Sequence, residues 1–232
     1  MSDSKPDAQY LLFGGCGDSL DSAKVRPLLI DSLTKAGLDK PRVLILATAS
    51  GDQTEQLART HNAWGMLGCA TTHLTLFQYR DPEWQHKIDN ADLVWVCGGS
   101  TANLLMLWRN HGIAEAFAAR HKRSKLVFAG TSAGMNCWFD SSISWSGGEF
   151  APLHDGLGWI EGSACPHADS QPERTVAWRE AVSSSRLPEG LALGEETVLW
   201  ARVKSGAIID SCSLSLGSPF MISSHQSQYL PQ

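Results

Sequence analysis

The sequence predicts an α/β fold, a mostly parallel central sheet flanked by helices on both faces. Three observations carry this. Short apolar runs alternate along the chain with longer segments that read as helices. Runs such as Val43-Leu44-Ile45-Leu46-Ala47 and Leu126-Val127-Phe128-Ala129 are continuously apolar, as strands buried on both faces are. Two such strands end in glycine turns that open helices, at Gly98-Gly99 and at Gly130-Thr131-Ser132-Ala133-Gly134.

Taken in order, residues 1–8 read as a loose leader. Tyr10-Leu11-Leu12-Phe13 reads as a strand running into Gly14-Gly15-Cys16-Gly17. A helix is expected over 21–37, a strand at 43–47, a helix near 53–67 and a strand near 71–77. Leu93-Val94-Trp95-Val96-Cys97 is the next strand. Helices near 101–109 and 113–121 precede the strand at 126–129, and a further helix begins near Ala133. Residues 141–158, rich in Ser, Gly and Trp, read as loops with short strands. A short strand leads to His167, followed by a helix near 171–183, with Ser170 to Glu173 as a capping box and Pro172 in the first turn. Strands near 191–195 and 198–203 finish the sheet or add a hairpin, and a polar tail starts at Ser211. No linker interrupts the series, so one domain over 1–232 is expected.

Composition narrows the function. The 232 residues are 43% hydrophobic and 19% charged, which is ordinary globular usage and excludes dominant disorder. A chain of this length buries roughly 70% of its unfolded surface. The net charge is −5, and His121-Lys122-Arg123-Ser124-Lys125 is the densest basic cluster, too short for a phosphate-binding face; no nucleic-acid partner is expected. The longest apolar run, Leu93 to Trp108, is broken by Gly98-Gly99-Ser100, so no membrane partner is expected either. The first residues lack the apolar core of a signal peptide. Cysteines 16, 69, 97, 137, 165 and 212 contain no Cys-x-x-Cys pair, which leaves metal and dithiol sites unsupported and fits reduced thiols in a cytoplasmic protein. No cofactor is called for. Nine tryptophans can serve the core, a substrate cleft or a homodimer interface, and the sequence does not choose among them.

The chemistry concentrates at Gly130-Thr131-Ser132-Ala133-Gly134. A Gly-x-Ser-x-Gly pattern between an apolar strand and a helix holds the serine on a sharp, exposed turn, with the flanking glycines making room. Ser132 is therefore the candidate nucleophile. The helix start behind it offers free N–H groups to a developing oxyanion, Ala133 first. The second glycine turn, Gly98-Gly99-Ser100-Thr101, supplies another N–H, most naturally from Gly99, with Ser100 as helix cap. Gly14-Gly15-Cys16-Gly17 lacks dinucleotide spacing and a following acid, so a nucleotide site is not expected.

A serine hydroxyl needs a base. Of eight histidines, His167 lies at a strand end just before a well-marked helix, where sites on parallel sheets lie. The acid that orients it is Glu195 or Glu196, at the end of Leu191-Ala192-Leu193-Gly194; alternation across a strand lets one of them face the site, and the pattern does not say which.

Three segments together, Gly98 to Leu105, Gly130 to Gly134, and Pro166-His167-Ala168-Asp169-Ser170 with Arg174, resemble peptidase E, the aspartyl dipeptidase family that also contains cyanophycinase. The resemblance runs from about Tyr10 to Ile209. It implies a class I glutamine amidotransferase-like fold with Ser in place of Cys, Ser132 as nucleophile, His167 as base, Glu195 as third member, and Gly99 and Ala133 as oxyanion donors. It implies that Arg174 reads the carboxylate of a short peptide with an N-terminal aspartate. A cation in the first turn of a helix opposes the helix dipole, and a bidentate carboxylate contact gives that position a purpose. Some members carry an Asp after the nucleophile helix; here Glu149 or Asp140 are the acids in that region.

Two other readings follow from the residues. An α/β-hydrolase esterase, with the order Ser, acid, His, would use Ser132, Asp210 and His225. A catalytically silent binding module on the same scaffold would use none of them.

Overall fold

In the computed structural model, the structure describes residues 6–17, 19–77, 80–123, 125–146, 148–216 and 221–223. A seven-stranded sheet runs through the middle. Its parallel part is β1 (Gln9–Phe13), β5 (Val127–Thr131), β4 (Leu93–Val96), β2 (Arg42–Leu46) and β3 (Ala70–Leu74), side by side in that order. Two antiparallel strands, β10 (Thr197–Lys204) and β11 (Ala207–Ser215), extend it beyond β1. A second sheet was not foreseen from the sequence. It has five strands in the order β12 (Met221–Ser223), β9 (Gly190–Leu193), β8 (Ile160–Cys165), β6 (Phe139–Ser146) and β7 (Glu149–Leu153).

The central strands alternate inside and inside, not inside and out. Leu11 and Phe13 pack with Val43, Ile45 and Trp95 on one face, under α1 (Arg26–Ala36) and α2 (Thr54–Gly65). Tyr10 and Leu12 pack with Leu44, Leu46, Val96 and Phe128 on the other, under α4 (Thr101–His111) and α5 (Ile113–Arg123). Both faces are covered by helices, which is why the strands read as unbroken apolar runs.

The second face continues into the smaller sheet. Tyr10, Phe128, Trp138 and Trp159 form a ring cluster, with Phe128–Trp138 and Phe128–Trp159 centroids 5.1 Å apart and Trp138 stacked on Trp159 at 5.5 Å. Such contacts add about 0.5–1.5 kcal/mol each beyond burial. They clamp the chain leaving the Ser132 turn onto the smaller sheet. Trp64, Trp95, Trp108, Trp138 and Trp178 are fully buried, which assigns these five tryptophans to the core.

Some boundaries differ from the sequence reading. The first helix begins at Arg26, not near 21, because Pro27 has no N–H and is accommodated only in a first turn. The helix near Ala133 is a single turn, α6 (Ala133–Asn136), and α3 (Trp84–Asp89) had not been expected. The stretch read as a tail from Ser211 contributes Ser211 to Ser215 to β11 and residues 221–223 to β12. α7 (Pro172–Ser183) begins at Pro172 as expected, but Gln171 is its cap residue and no side chain caps it. Ser170 is engaged elsewhere, as the site makes clear. No helix among the described residues is long and apolar enough to cross a membrane.

Candidate active site

Ser132 sits at the carboxyl end of β5, between that strand and α6. Its backbone is at φ 56°, ψ −111°, a left-handed conformation that costs a non-glycine residue of order 1–3 kcal/mol. The turn is held from both sides. Ser132 N–H donates to the Phe13 carbonyl at the end of β1 (3.2 Å), and Met135 and Asn136 N–H donate back to the Ser132 carbonyl. Ala133 is buried at the first position of α6, and no acceptor for its N–H is found among the described residues. Beside it, Gly99 adopts φ 143°, and a Cβ there would stand 2.3 Å from the Ala49 carbonyl oxygen, so this turn admits glycine alone.

His167 follows β8, and its position is fixed by the Gly14-Gly15 segment that the sequence had left without a role. His167 N–H donates to the Gly14 carbonyl (3.1 Å), Glu196 N–H donates to the Gly15 carbonyl (3.2 Å), and Gly15 bridges to Glu195. His167 itself has φ 57°. One short glycine stretch at the end of β1 therefore ties the histidine and the glutamate segments to the strand beside the one that carries Ser132.

The two acids separate cleanly. Glu195 Oε1 hydrogen-bonds His167 Nδ1. Its Oε2 accepts from Gly17 N–H at 2.8 Å, and Ser170 Oγ donates to Oε1 at 3.0 Å. Asp169 holds the Glu195 backbone N–H at 2.8 Å. Glu196 turns away, to Lys24 Nζ at 2.6 Å. Burial pushes the Glu195 carboxyl up, but hydrogen bonds from His167, Gly17 and Ser170 outweigh it and hold it below the usual carboxylate range. Ser170 thus serves the carboxylate in place of the expected cap. Gly17, Asp169 and Ser170 were missed as site residues; the signals for them were the Gly14-Gly15-Cys16-Gly17 run for Gly17 and the Pro166 to Ser170 segment for the other two.

Two cavities meet at Ser132. The larger, about 540 Å³, is lined by His167, Cys16, Gly98, Cys97 and Thr131, and by residues of α2. The smaller, about 230 Å³, is lined by Gly99, Thr101, Asn136, Ser144, Trp145 and Arg174. Cys16 does not compete as a nucleophile, because burial pushes its thiol up to about 12 against a small lowering from Thr131.

Arg174 is 8% exposed. Its guanidinium lies 4.8 Å over the Phe150 ring, its Nε has no hydrogen-bond partner, and no carboxylate pairs with it among the described residues. Burial pushes its pKa down, and Cys165 and Glu195 partly restore it. A buried cation without an anion costs several kcal/mol, so the position is expensive for a purely structural arginine.

The other candidates fall outside. Asp140 accepts from Gly162 N–H, within β8, at 2.9 Å, while Glu149 pairs in the β6–β7 hairpin; neither lines either of these two cavities. The described residues do not bring Asp210 to Ser132, as the esterase arrangement requires. Asp210 lies on the edge strand β11, 4.0 Å from Arg202 and away from both cavities, and His225 lies outside the described residues. All six cysteines are free.

Fold and site together define a serine hydrolase architecture on a class I glutamine amidotransferase-like scaffold. Comparison with known proteins gives the family. The model of peptidase family S51 matches residues 11–209, and the chain belongs to that family, the peptidase E family of serine peptidases. It is 33% identical over 193 residues to uncharacterized peptidase YgaJ of Bacillus subtilis (strain 168), covering 82% of each chain. Among solved structures it resembles a peptidase E candidate from Listeria monocytogenes EGD-e (TM-score 0.65, 17% identity, 90% of this chain and 99% of that one). It also resembles a peptidase from an acI-B1 actinobacterium (TM-score 0.60, 19% identity, 95% of this chain and 98% of that one).

Proposed function

We propose that this serine peptidase removes an N-terminal aspartate from short peptides, through a Ser132–His167–Glu195 triad and an acyl-enzyme. The observation that carries the reading is the buried, anion-free Arg174 in a small cavity that opens onto Ser132. A cavity of about 230 Å³ with a guanidinium in its wall suits one acidic side chain, bound bidentately.

In this mechanism Ser132 Oγ attacks the carbonyl of the residue held by Arg174. His167 takes the serine proton and passes it to the leaving amine. Glu195, fixed by Gly17 and Ser170, keeps the imidazole tautomer that presents its other nitrogen to Ser132. Gly99 and Ala133 N–H groups receive the oxyanion. Water then enters from the His167 side and releases aspartate. No step calls for a metal or cofactor. Six free cysteines and the lack of a Cys-x-x-Cys pair favour a cytoplasmic setting.

A fluorophosphonate probe tests this site directly. It labels Ser132, and Asp-Leu protects against labelling while Leu-Leu does not. Labelling at another residue, or equal protection by both peptides, contradicts the reading.

A further inference from the structure

The peptidase reading leaves the larger cavity unexplained, and its lining has a definite chemistry. His167 borders this cavity and not the smaller one. A histidine that protonates the leaving amine must stand beside it, so the leaving group occupies the larger cavity while the acyl residue sits with Arg174. The first two turns of α2 and its cap residue Gln53 form one wall, with Glu55, Gln56, Arg59 and Thr60 on the helix. The opposite wall is the segment after β1, held against α2 by Asn62 Nδ2 donating to Asp21 Oδ2 at 3.0 Å.

Among the lining residues Arg59 is the one permanent cation and Glu55 the one carboxylate. They pair at 2.6 Å one helical turn apart, with side chains 53% and 78% exposed. A pair so exposed is weakly held, so Arg59 exchanges Glu55 for another carboxylate at little cost. Asp21 also faces Arg59, but its oxygens are already engaged by Ser19 and Asn62.

Resting on the peptidase reading, we propose that Arg59 binds the free C-terminal carboxylate of the leaving amino acid, so that the enzyme selects dipeptides over longer or C-terminally blocked chains. Arg174 and Arg59 then grip the two ends of one substrate, with Ser132 and His167 between them. Glu55 acts as the competitor that holds Arg59 at the cavity mouth when no substrate carboxylate is present.

The test compares kcat/KM for Asp-Leu and for Asp-Leu-amide, which differ in that carboxylate alone. The wild type favours Asp-Leu by about fivefold, the size of a partly solvated ion pair. In Arg59→Gln the ratio falls to near one, and in Glu55→Gln it rises above the wild-type value. A merely structural role for Arg59 lowers both rates together and leaves the ratio unchanged; that result, or one ratio common to all three proteins, overturns the Arg59 assignment while leaving the peptidase reading intact. Failure of the wild type to cleave either compound overturns both.

Discussion

Gly15→Ala is a sharp test of how the acid is held. Gly15 has no positive φ, so alanine brings no backbone strain there. The new Cβ would stand 1.9 Å from Glu195 Oε2, 2.3 Å from Cδ and 2.6 Å from Oε1. Ordinary contact begins near 3.4 Å, so the carboxylate must retreat by about 1.5 Å. A hydrogen bond tolerates a few tenths of an ångström, so the retreat breaks the bond to His167 and the one from Gly17 together. Glu195 ends a flexible side chain, and the fold survives its displacement. Loss of the orienting acid in a serine triad costs as much as about 10⁴ in kcat, so a fall of about 10²–10⁴ in kcat/KM is expected, with Tm within a few degrees of wild type. The assay is release of leucine from Asp-Leu, with thermal unfolding alongside. Near-wild-type turnover by a folded Gly15→Ala protein would refute the reasoning, because it would mean that His167 works without Glu195 in place.

Four further outcomes follow from the same geometry. Ser132→Gly should melt about 2–4 °C above Ser132→Ala, both inactive, because glycine relieves the φ 56° strain that alanine keeps; equal melting points would deny the strain. Arg174→Met should lose about 30-fold or more in preference for Asp-Leu over Ala-Leu and should melt higher than wild type, since an unpaired buried cation is removed. Glu195, its carboxyl held low by His167, Gly17 and Ser170 against burial, contributes stability above its unfolded value of about 4.3 and loses it as pH falls through the lower folded value. Guanidinium unfolding should accordingly show wild type more stable than Glu195→Gln at pH 6, with the gap closing toward pH 3. His61 and His73 share a hydrogen bond at 2.9 Å; burial lowers both, with their mutual contact also lowering His61 and Lys87 also lowering His73. Their neutral forms are favoured by folding, so stability should decline as pH drops below about 6.5, and His73→Gln should flatten that slope.

Much of this was legible in the chain, for identifiable reasons. Val43 to Leu46 and Val127 to Ala129 read as strands buried on both faces because the helices on either side leave no solvated face to alternate toward. Ser132 and His167 were marked by local signals, a glycine-flanked elbow and a helix start. The second sheet was not legible, because β6 is broken by Ser and Asp, β7 carries Pro152, which argues against a strand, and β12 is three residues long. The choice between Glu195 and Glu196 was also hidden. It depends on φ 53° at Glu196, which swings that side chain to Lys24, and on Gly15 leaving space 180 residues earlier for the Glu195 carboxylate. Ser170 was misread as a cap because its sequence fits a capping box; the helix starts one residue later, with Gln171 at the cap position, and the Ser170 hydroxyl donates to Glu195 instead.

The most direct measurement is hydrolysis of Asp-Leu and Leu-Leu by the purified protein, wild type beside Ser132→Ala, followed by free amino acids. The account predicts leucine and aspartate from Asp-Leu with wild type, none from Leu-Leu, and none from either peptide with Ser132→Ala. Turnover of Leu-Leu as fast as Asp-Leu, or turnover that survives Ser132→Ala, would contradict it.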